Sequence, residues 1–375
     1  MQRALFEIWP SLERTLPWLE LGEFPTPVEA MPLAVRAAGT SGELYAKRDD
    51  LSSPVYGGNK VRTLEVLFAE ARRRDAARVY ATGAFGSNHA TATVLHARRV
   101  GLEPGVVLFA QPPSRAALEN FRVSLARAEH SIVLPHWACL PYGMIRARLA
   151  GARTGRPCFV MVPGGATPLG ALGYVSAALE LGAQVRSGAC PEPETVLVGV
   201  GSTCTSAGLL VGLTLAARLG LGFRRAPELR SVRVSPWPVT ARARIVGLAL
   251  RTARLLARLT GDDRLELGAG ELGARFSVDP GFLGAGYGLT TREGEEATRV
   301  FAGVGLPLDS TYSAKSAAGT LAALRRGARG PLLYWATKSS APLPEVAPSE
   351  LASAGALAGR FVRRCEELSG ARPAP

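Results

Sequence analysis

Short apolar runs alternate with helical stretches along most of this chain, and that alternation restricts the fold more than any other feature. RVYATG (78–83), GVVLFA (105–110), HSIVLP (130–135), CFVMVP (158–163), TVLVGVG (195–201) and GPLLYWAT (330–337) have the length and composition of buried strands. Helix-period segments follow all but the last, among them ATATVLHARRVGL, RAALENFRVSLARAEH and SAGLLVGLTLAARLG. Strands and helices in this rhythm form βαβ units, and hence an α/β protein with parallel sheets covered on both faces. Between about 225 and 275 the rhythm breaks into LRSVRVSPW, a long arginine-rich helix and a glycine-rich stretch, read here as an insertion or a domain edge.

Parallel α/β sheets bind ligands at the loops beyond the carboxyl ends of their strands. The segments to inspect are therefore GSNH (86–89), PGGATPLG (163–170), GSTCTSAG (201–208) and ATKSS (336–340). At 375 residues the chain suits two domains with a cleft between them.

Several function classes fall away. The N-terminal MQRALFEIWPSLERTLPWLE mixes charges among its apolar residues, and IVGLALRTARLLARL (245–259) is broken by three arginines, so neither a signal peptide nor a membrane span is expected. A cytoplasmic protein follows from that reading. With 47% hydrophobic and 20% charged residues the chain should fold throughout, with only the ARPAP end resembling a tail. Five scattered cysteines without a Cys-x-x-Cys pair suggest no disulfide framework and no metal site, and Cys158 reads as a small buried residue of its strand. The net charge of +13 is carried by arginine: only four of the 44 basic residues are lysine, namely Lys47, Lys60, Lys315 and Lys338. The arginines are dispersed over many helices without a nucleic-acid motif, which argues against a nucleic-acid partner.

The chemistry-bearing residues lie in the loops. Lys60 follows Gly57-Gly58-Asn59 and opens a helix with apolar positions Val61, Leu64, Leu67, Phe68 and Ala71. An amine at the positive end of a helix dipole is biased towards its neutral form, and the glycines permit close backbone approach, with Asn59 as a helix cap. A solvated lysine in a capped first turn is the plainer alternative. Ser87, Asn88 and His89 form a polar strand-to-helix turn suited to a carboxylate or to a simple N-cap. Ser202, Thr203, Cys204 and Thr205 sit between a buried strand and an apolar helix, where N–H groups and hydroxyls cradle a phosphate. A dinucleotide site is excluded because Cys204 occupies the third glycine position of a GxGxxG match. No GxSxG elbow or HExxH is present.

A lysine amine, a carboxylate turn and a single-phosphate loop together describe a pyridoxal-phosphate enzyme acting on an amino acid. Here the chain resembles the D-cysteine desulfhydrase and 1-aminocyclopropane-1-carboxylate deaminase family, tryptophan-synthase-β-like enzymes of fold type II. The matching segments are FPTPVEAMPL (24–33), AKRDDLSSPVYGGNKVRTLE (46–65), GSNHATAT (86–93), PGGATPLGALGYVSAALEL (163–181), the 199–213 loop and helix, GAGYG (284–288) and LDSTYSAKSAAG (308–319). The resemblance implies two open, twisted, mostly parallel α/β domains with pyridoxal 5'-phosphate in the cleft. The small domain would span 53–162, and the large one 1–52 with 163–375. It further implies that Lys60 is the Schiff-base lysine, that Asn88 bonds the cofactor's phenolic oxygen, and that Ser87, Asn88 and His89 hold the substrate carboxylate. The 202–205 loop would hold the phosphate, Tyr287 and Tyr312 would flank the substrate and exchange protons, and Thr337 would place a hydroxyl near the pyridine nitrogen. A homodimer is expected from the family.

Departures from the family pattern bear on the substrate. Ser313 stands where the cyclopropane deaminases carry a glutamate, which argues against ring opening and for loss of a β-substituent from a small amino acid, giving a 2-oxo acid and ammonia. Thr203-Cys204 replaces two glycines, and Lys338-Ser339-Ser340 follows Thr337 where the family has Gly-Gly. Lys338 either points to solvent or meets a second anionic group on the substrate. Gly86 and Thr91 replace a glutamine and an arginine. A β-replacement synthase would share every cofactor residue, and a non-catalytic protein retaining the fold is the reading from a different class.

Overall fold

A computed structural model of the chain describes residues 3–328, 330–351 and 355–368, so the expected ARPAP tail lies outside the described residues. Among the described residues ten strands form two sheets: β1 (Val28–Ala30), β2 (Leu44–Lys47), β3 (Arg78–Ala84), β4 (Glu103–Phe109), β5 (His130–Leu134), β6 (Cys158–Val160), β7 (Thr195–Val200), β8 (Glu228–Arg233), β9 (Phe276–Asp279) and β10 (Leu332–Trp335). The larger sheet has the order β1-β2-β10-β7-β8-β9 and the smaller β5-β4-β3-β6. Every pairing is parallel except β1 with β2 at one edge. The expected mostly parallel α/β architecture is therefore present, and the antiparallel edge strand is the usual way such sheets end.

Helices Pro168–Arg186, Cys204–Arg218 and Arg242–Thr260 cover one face of the larger sheet and share a core with Val196, Val198 and Trp335. Ser313–Arg325 and Arg292–Ala302 cover the other, packing Phe301 and Leu321 against Leu332 and Tyr334. In the smaller unit the Lys60 helix, Asn59–Arg73, packs with Val79, Ala81 and Val106, and the Gly355–Leu368 helix adds Phe361 to an aromatic cluster with Phe85 and Phe121.

Two sequence expectations need correction. The stretch near 225–275 is not an insertion but one edge of the larger sheet. It supplies β8, the Arg242–Thr260 helix and β9, a regular βαβ unit that completes the larger sheet. Its strand signal is weak because Arg230 and Arg233 alternate with buried Leu229 and Val232. Cys158 is half-buried, because β6 is an edge strand of the smaller sheet.

The loops that carry polar residues all leave the carboxyl ends of parallel strands: 85–88 after β3, 161–167 after β6, 201–203 after β7 and 336–340 after β10. The two sheets thus aim their polar loops at one another. A buried charge cluster ties the segments together beneath them. Arg62 donates to Asp49 at 2.8 and 2.9 Å and to Glu180 at 2.9 and 3.0 Å, while Lys47 bonds Glu180 and, at 2.7 Å, both Gln184 and the Thr26 carbonyl. Tyr174 and the Trp335 indole also donate to Asp49, at 2.7 and 2.8 Å.

Candidate active site

The Lys60 helix begins where Gly58 adopts φ +86°, and a Cβ there would lie 2.4 Å from the Thr337 carbonyl. Glycine alone permits both the backbone angle and that approach. The Asn59 amide then donates to the same carbonyl at 3.1 Å, and the Gly57 amide donates to Ser339 Oγ at 2.9 Å. The turn after β10 is in this way fastened to the start of the lysine helix. Asn59 is not the cap that the sequence suggests. It is the first helical residue, and its Nδ2 crosses to Thr205 Oγ1 at 2.9 Å, joining the lysine turn to the loop after β7.

Lys60 is buried, with Nζ 3.5 Å from Ser202 Oγ and, among the described residues, no carboxylate within ion-pair distance. Burial lowers the pKa of its amine, opposed only by Cys204. The helix start acts in the same direction.

Thr203 carries φ +72°, a left-handed angle that a β-branched residue seldom adopts and that suits glycine. Cys204 Sγ donates to the Gly165 carbonyl at 3.3 Å and lies 3.9 Å from Thr63 Oγ1, so its thiol is engaged by protein. The first-turn N–H groups of the 15-residue Cys204–Arg218 helix remain for an anion. Opposite them Gly164, at φ +66°, sits so close that a Cβ would come within 2.1 Å of Ser202 Oγ.

After β3, Ser87 caps the Asn88–His96 helix by accepting from the Ala90 amide at 3.3 Å. Asn88 Oδ1 accepts from Tyr56 Oη at 3.0 Å and from Asn120 Nδ2 at 2.7 Å. The imidazole of His89 is buried with no hydrogen-bond partner for either ring nitrogen. Burial, with the Lys60 charge behind it, brings its pKa down to about 3, so the ring is neutral at physiological pH. Gly86 and Thr91 fit their surroundings: the Gly86 amide donates to Gln111 at 2.8 Å, and Thr91 is buried against Ser124 at 3.2 Å.

Tyr287 and Tyr312 share a hydroxyl–hydroxyl hydrogen bond, with rings 5.8 Å apart at 75°. Burial pushes Tyr287 up to about 12 and holds Tyr312 well above its ordinary value, so both phenols keep their protons at neutral pH. The Tyr312 ring lies beside the loop after β7, where a Cβ on Gly201 would be 3.3 Å from it. Lys315 fixes the approach to Tyr287 by donating to the carbonyls of Leu283 and Gly286 at 2.7 and 2.8 Å. Ser313 is committed to Asp309, donating to its carboxylate at 2.9 Å. Lys338 does not point to solvent: its Nζ is 3.2 Å from Tyr56 Oη.

The structure therefore brings Lys60, Ser202, Thr205, Thr337 and the Tyr312 ring around one cleft, and links Asn88 to it through Tyr56. Thr337 joins through its backbone carbonyl. Sequence reading missed Tyr56, Asn120 and Asp309. Tyr56 stands next to the glycine turn, and Asn120 is a buried amide among the apolar positions Ala117, Leu118 and Phe121, a pattern that signals a polar network.

The chain belongs to the pyridoxal-phosphate dependent enzyme family, which it matches over residues 19–333. Within that family it belongs with the D-cysteine desulfhydrases and cyclopropane-carboxylate deaminases. It is 32% identical over 332 residues to the D-cysteine desulfhydrase of Salmonella paratyphi C, covering 85% of this chain and 92% of the relative. It also resembles the solved structure of an ACC deaminase homologue, with a TM-score of 0.72 and 27% identity over 91% of this chain and 96% of that one. The processed form of threonine deaminase isoform 2 from Solanum lycopersicum shares the fold, with a TM-score of 0.52 and 15% identity over 97% of this chain and 88% of that one.

The residues present fit pyridoxal phosphate. A buried amine without a counter-ion, a helix N-terminus with hydroxyls at Ser202 and Thr205, two glycines that leave no room for side chains, and an orphaned neutral imidazole leave matching gaps.

Proposed function

We propose that this protein is a pyridoxal-phosphate-dependent lyase that eliminates a β-substituent from a small amino acid and releases a 2-oxo acid and ammonia. The observation that carries this reading is Lys60, whose buried amine has no carboxylate partner among the described residues and stands against the loop at 202–205. Bound pyridoxal phosphate supplies an electron sink that acidifies the Cα–H of an amino acid joined to it. Lys60 holds the cofactor and, as an amine biased to neutrality, takes the proton from Cα. Ser202, Thr203, Cys204 and Thr205 hold the phosphate, Thr337 offers its hydroxyl to the pyridine ring, and Asn88 donates to the phenolic oxygen. Ser87, Asn88 and His89 orient the carboxylate. The Tyr287–Tyr312 pair, protonated at neutral pH, donates to the departing group.

The commitment of Ser313 to Asp309 supports elimination over ring opening, because no acidic side chain is offered from that position. A small domain of 53–162, extended by the packed Gly355–Leu368 helix, closing on the remainder is the arrangement we infer, in a cytoplasmic homodimer. Five free cysteines are in keeping with that compartment. Release of 2-oxo acid from D- and L-amino acids bearing thiol, chloro, hydroxyl or sulfonate groups on the β-carbon is the test. Equimolar 2-oxo acid and ammonia are expected; capture of an added thiol or amine in place of 2-oxo acid would reassign the enzyme as a β-replacement synthase.

A further inference from the structure

All four lysines of the chain are withdrawn from full solvent exposure, and the surroundings account for three of them. Lys47 is paired with Glu180, Lys315 is held by two carbonyls, and Lys60 faces the phosphate loop. Lys338 is not accounted for in this way. Its Nζ meets the Tyr56 hydroxyl at 3.2 Å and lies 5.1 Å from that ring's centre, while among the described residues no carboxylate comes within ion-pair distance. The two acids nearest in charge are already engaged: Asp309 accepts from the Thr311 and Tyr312 amides and from Ser313, and Glu119 pairs with Arg115. An ammonium has three donors, and a neutral phenol uses one. Burial works against this charge, but Tyr56 and Asp309 outweigh it and keep the amine protonated.

The neighbouring substitutions differ in kind. Ser339 accepts from the Gly57 amide and Ser340 bonds Asp50, so both serve the turn. Lys338 is directed instead to Tyr56, whose hydroxyl bonds Asn88. Through Tyr56 it stands two hydrogen bonds from Asn88, in the turn that the proposed function assigns to the substrate carboxylate. The ammonium keeps donors that the Tyr56 hydroxyl does not use, and an anionic group on a ligand would take them up.

We infer that Lys338 determines specificity for an amino acid whose β-substituent carries its own anionic oxygens, such as a sulfonate, sulfate or phosphate group. This inference rests on the elimination reading. In that step the Cα–H proton passes to Lys60, the Cβ–X electron pair leaves with the anionic group X, and water then releases the 2-oxo acid and ammonia. Lys338 steadies the charge that departs.

The test is equilibrium titration calorimetry of the holoenzyme with two unreactive probes, 2-amino-4-sulfobutanoate and 2-aminobutanoate, in both enantiomers. Neither probe has a leaving group on its β-carbon. One charge-assisted hydrogen bond predicts a preference of about 10- to 100-fold for the sulfonated probe. Lys338→Gln should abolish that preference and Lys338→Arg should keep most of it, with the ratio of affinities read within each variant. A wild type without the preference, or a Lys338→Gln variant that retains it, would overturn the inference. Turnover separates the two failures. Release of 2-oxo acid without a sulfonate preference refutes this inference alone, whereas a protein that binds neither probe and releases no 2-oxo acid refutes the elimination reading and the inference with it.

Discussion

Lys60 and Arg62 lie two residues apart on one helix, both buried, in opposite electrostatic surroundings. Arg62 is enclosed by Asp49 and Glu180 and stacks 4.0 Å over the Phe24 ring, so its charge is answered entirely by protein. Among the described residues Lys60 finds only the Ser202 hydroxyl, at 3.5 Å. The same helical turn thus carries one cation that joins distant segments and one whose surroundings favour a neutral amine. The difference separates the charges that hold the scaffold from those kept for a ligand.

Removing the reactive side of this contrast should have the largest effect. Lys60→Ala should lower 2-oxo acid release by at least about 1,000-fold, as steady-state assays would show, with little change in melting temperature because no ion pair is broken. The scaffold side should respond the other way. Asp49→Asn leaves Arg62 and Lys47 short of a counter-charge and should cost about 3–5 kcal/mol in denaturant unfolding, since one partner of a buried pair is removed.

Acid titration sharpens the same division. Burial pushes the Asp49 carboxyl up, but Arg62, with Lys47 and the indole of Trp335, outweighs it and holds the pKa at about 2. Its contribution to stability is fully present above the unfolded value of about 3.9 and is lost as pH falls through about 2. His89 has the opposite role. It is neutral when folded down to about pH 3, while the unfolded ring takes a proton below about 6.5. The unfolded state binds more protons in that window, so stability should fall with falling pH by up to about 1.4 kcal/mol per pH unit. Unfolding curves of His89→Gln should lack that slope between pH 6.5 and 3, whereas Asp49→Asn should lose only the lower limb. The smallest effect is expected at Thr203, whose left-handed backbone favours glycine. Thr203→Gly should raise stability by about 1 kcal/mol.

The candidate site was more legible in the sequence than the scaffold that supports it. Lys60, the Ser87–His89 turn and the 202–205 loop are short continuous segments beside strand and helix signals, so their chemistry shows locally. The Arg62–Glu180 pair spans 118 residues and nothing local announces it. Tyr56 and Asn120 were missed for the same reason, since their value lies in meeting Asn88 from two other segments. Lys338 left two choices open because a lysine's direction depends on the neighbours that fold around it. Asn59 was misplaced by one position because a glycine at positive φ took the cap. The β8–β9 unit was hidden by Glu228, Arg230 and Arg233 in its first strand, which dilute the apolar content.

The most direct measurement of the contrast between Lys60 and its neighbours is borohydride reduction of the holoenzyme followed by peptide mass mapping. The expected result is the reduced cofactor attached to the peptide bearing Lys60, and to no peptide in the Lys60→Ala variant. Attachment at Lys338, Lys315 or Lys47, or a cofactor bond that survives in Lys60→Ala, would contradict it.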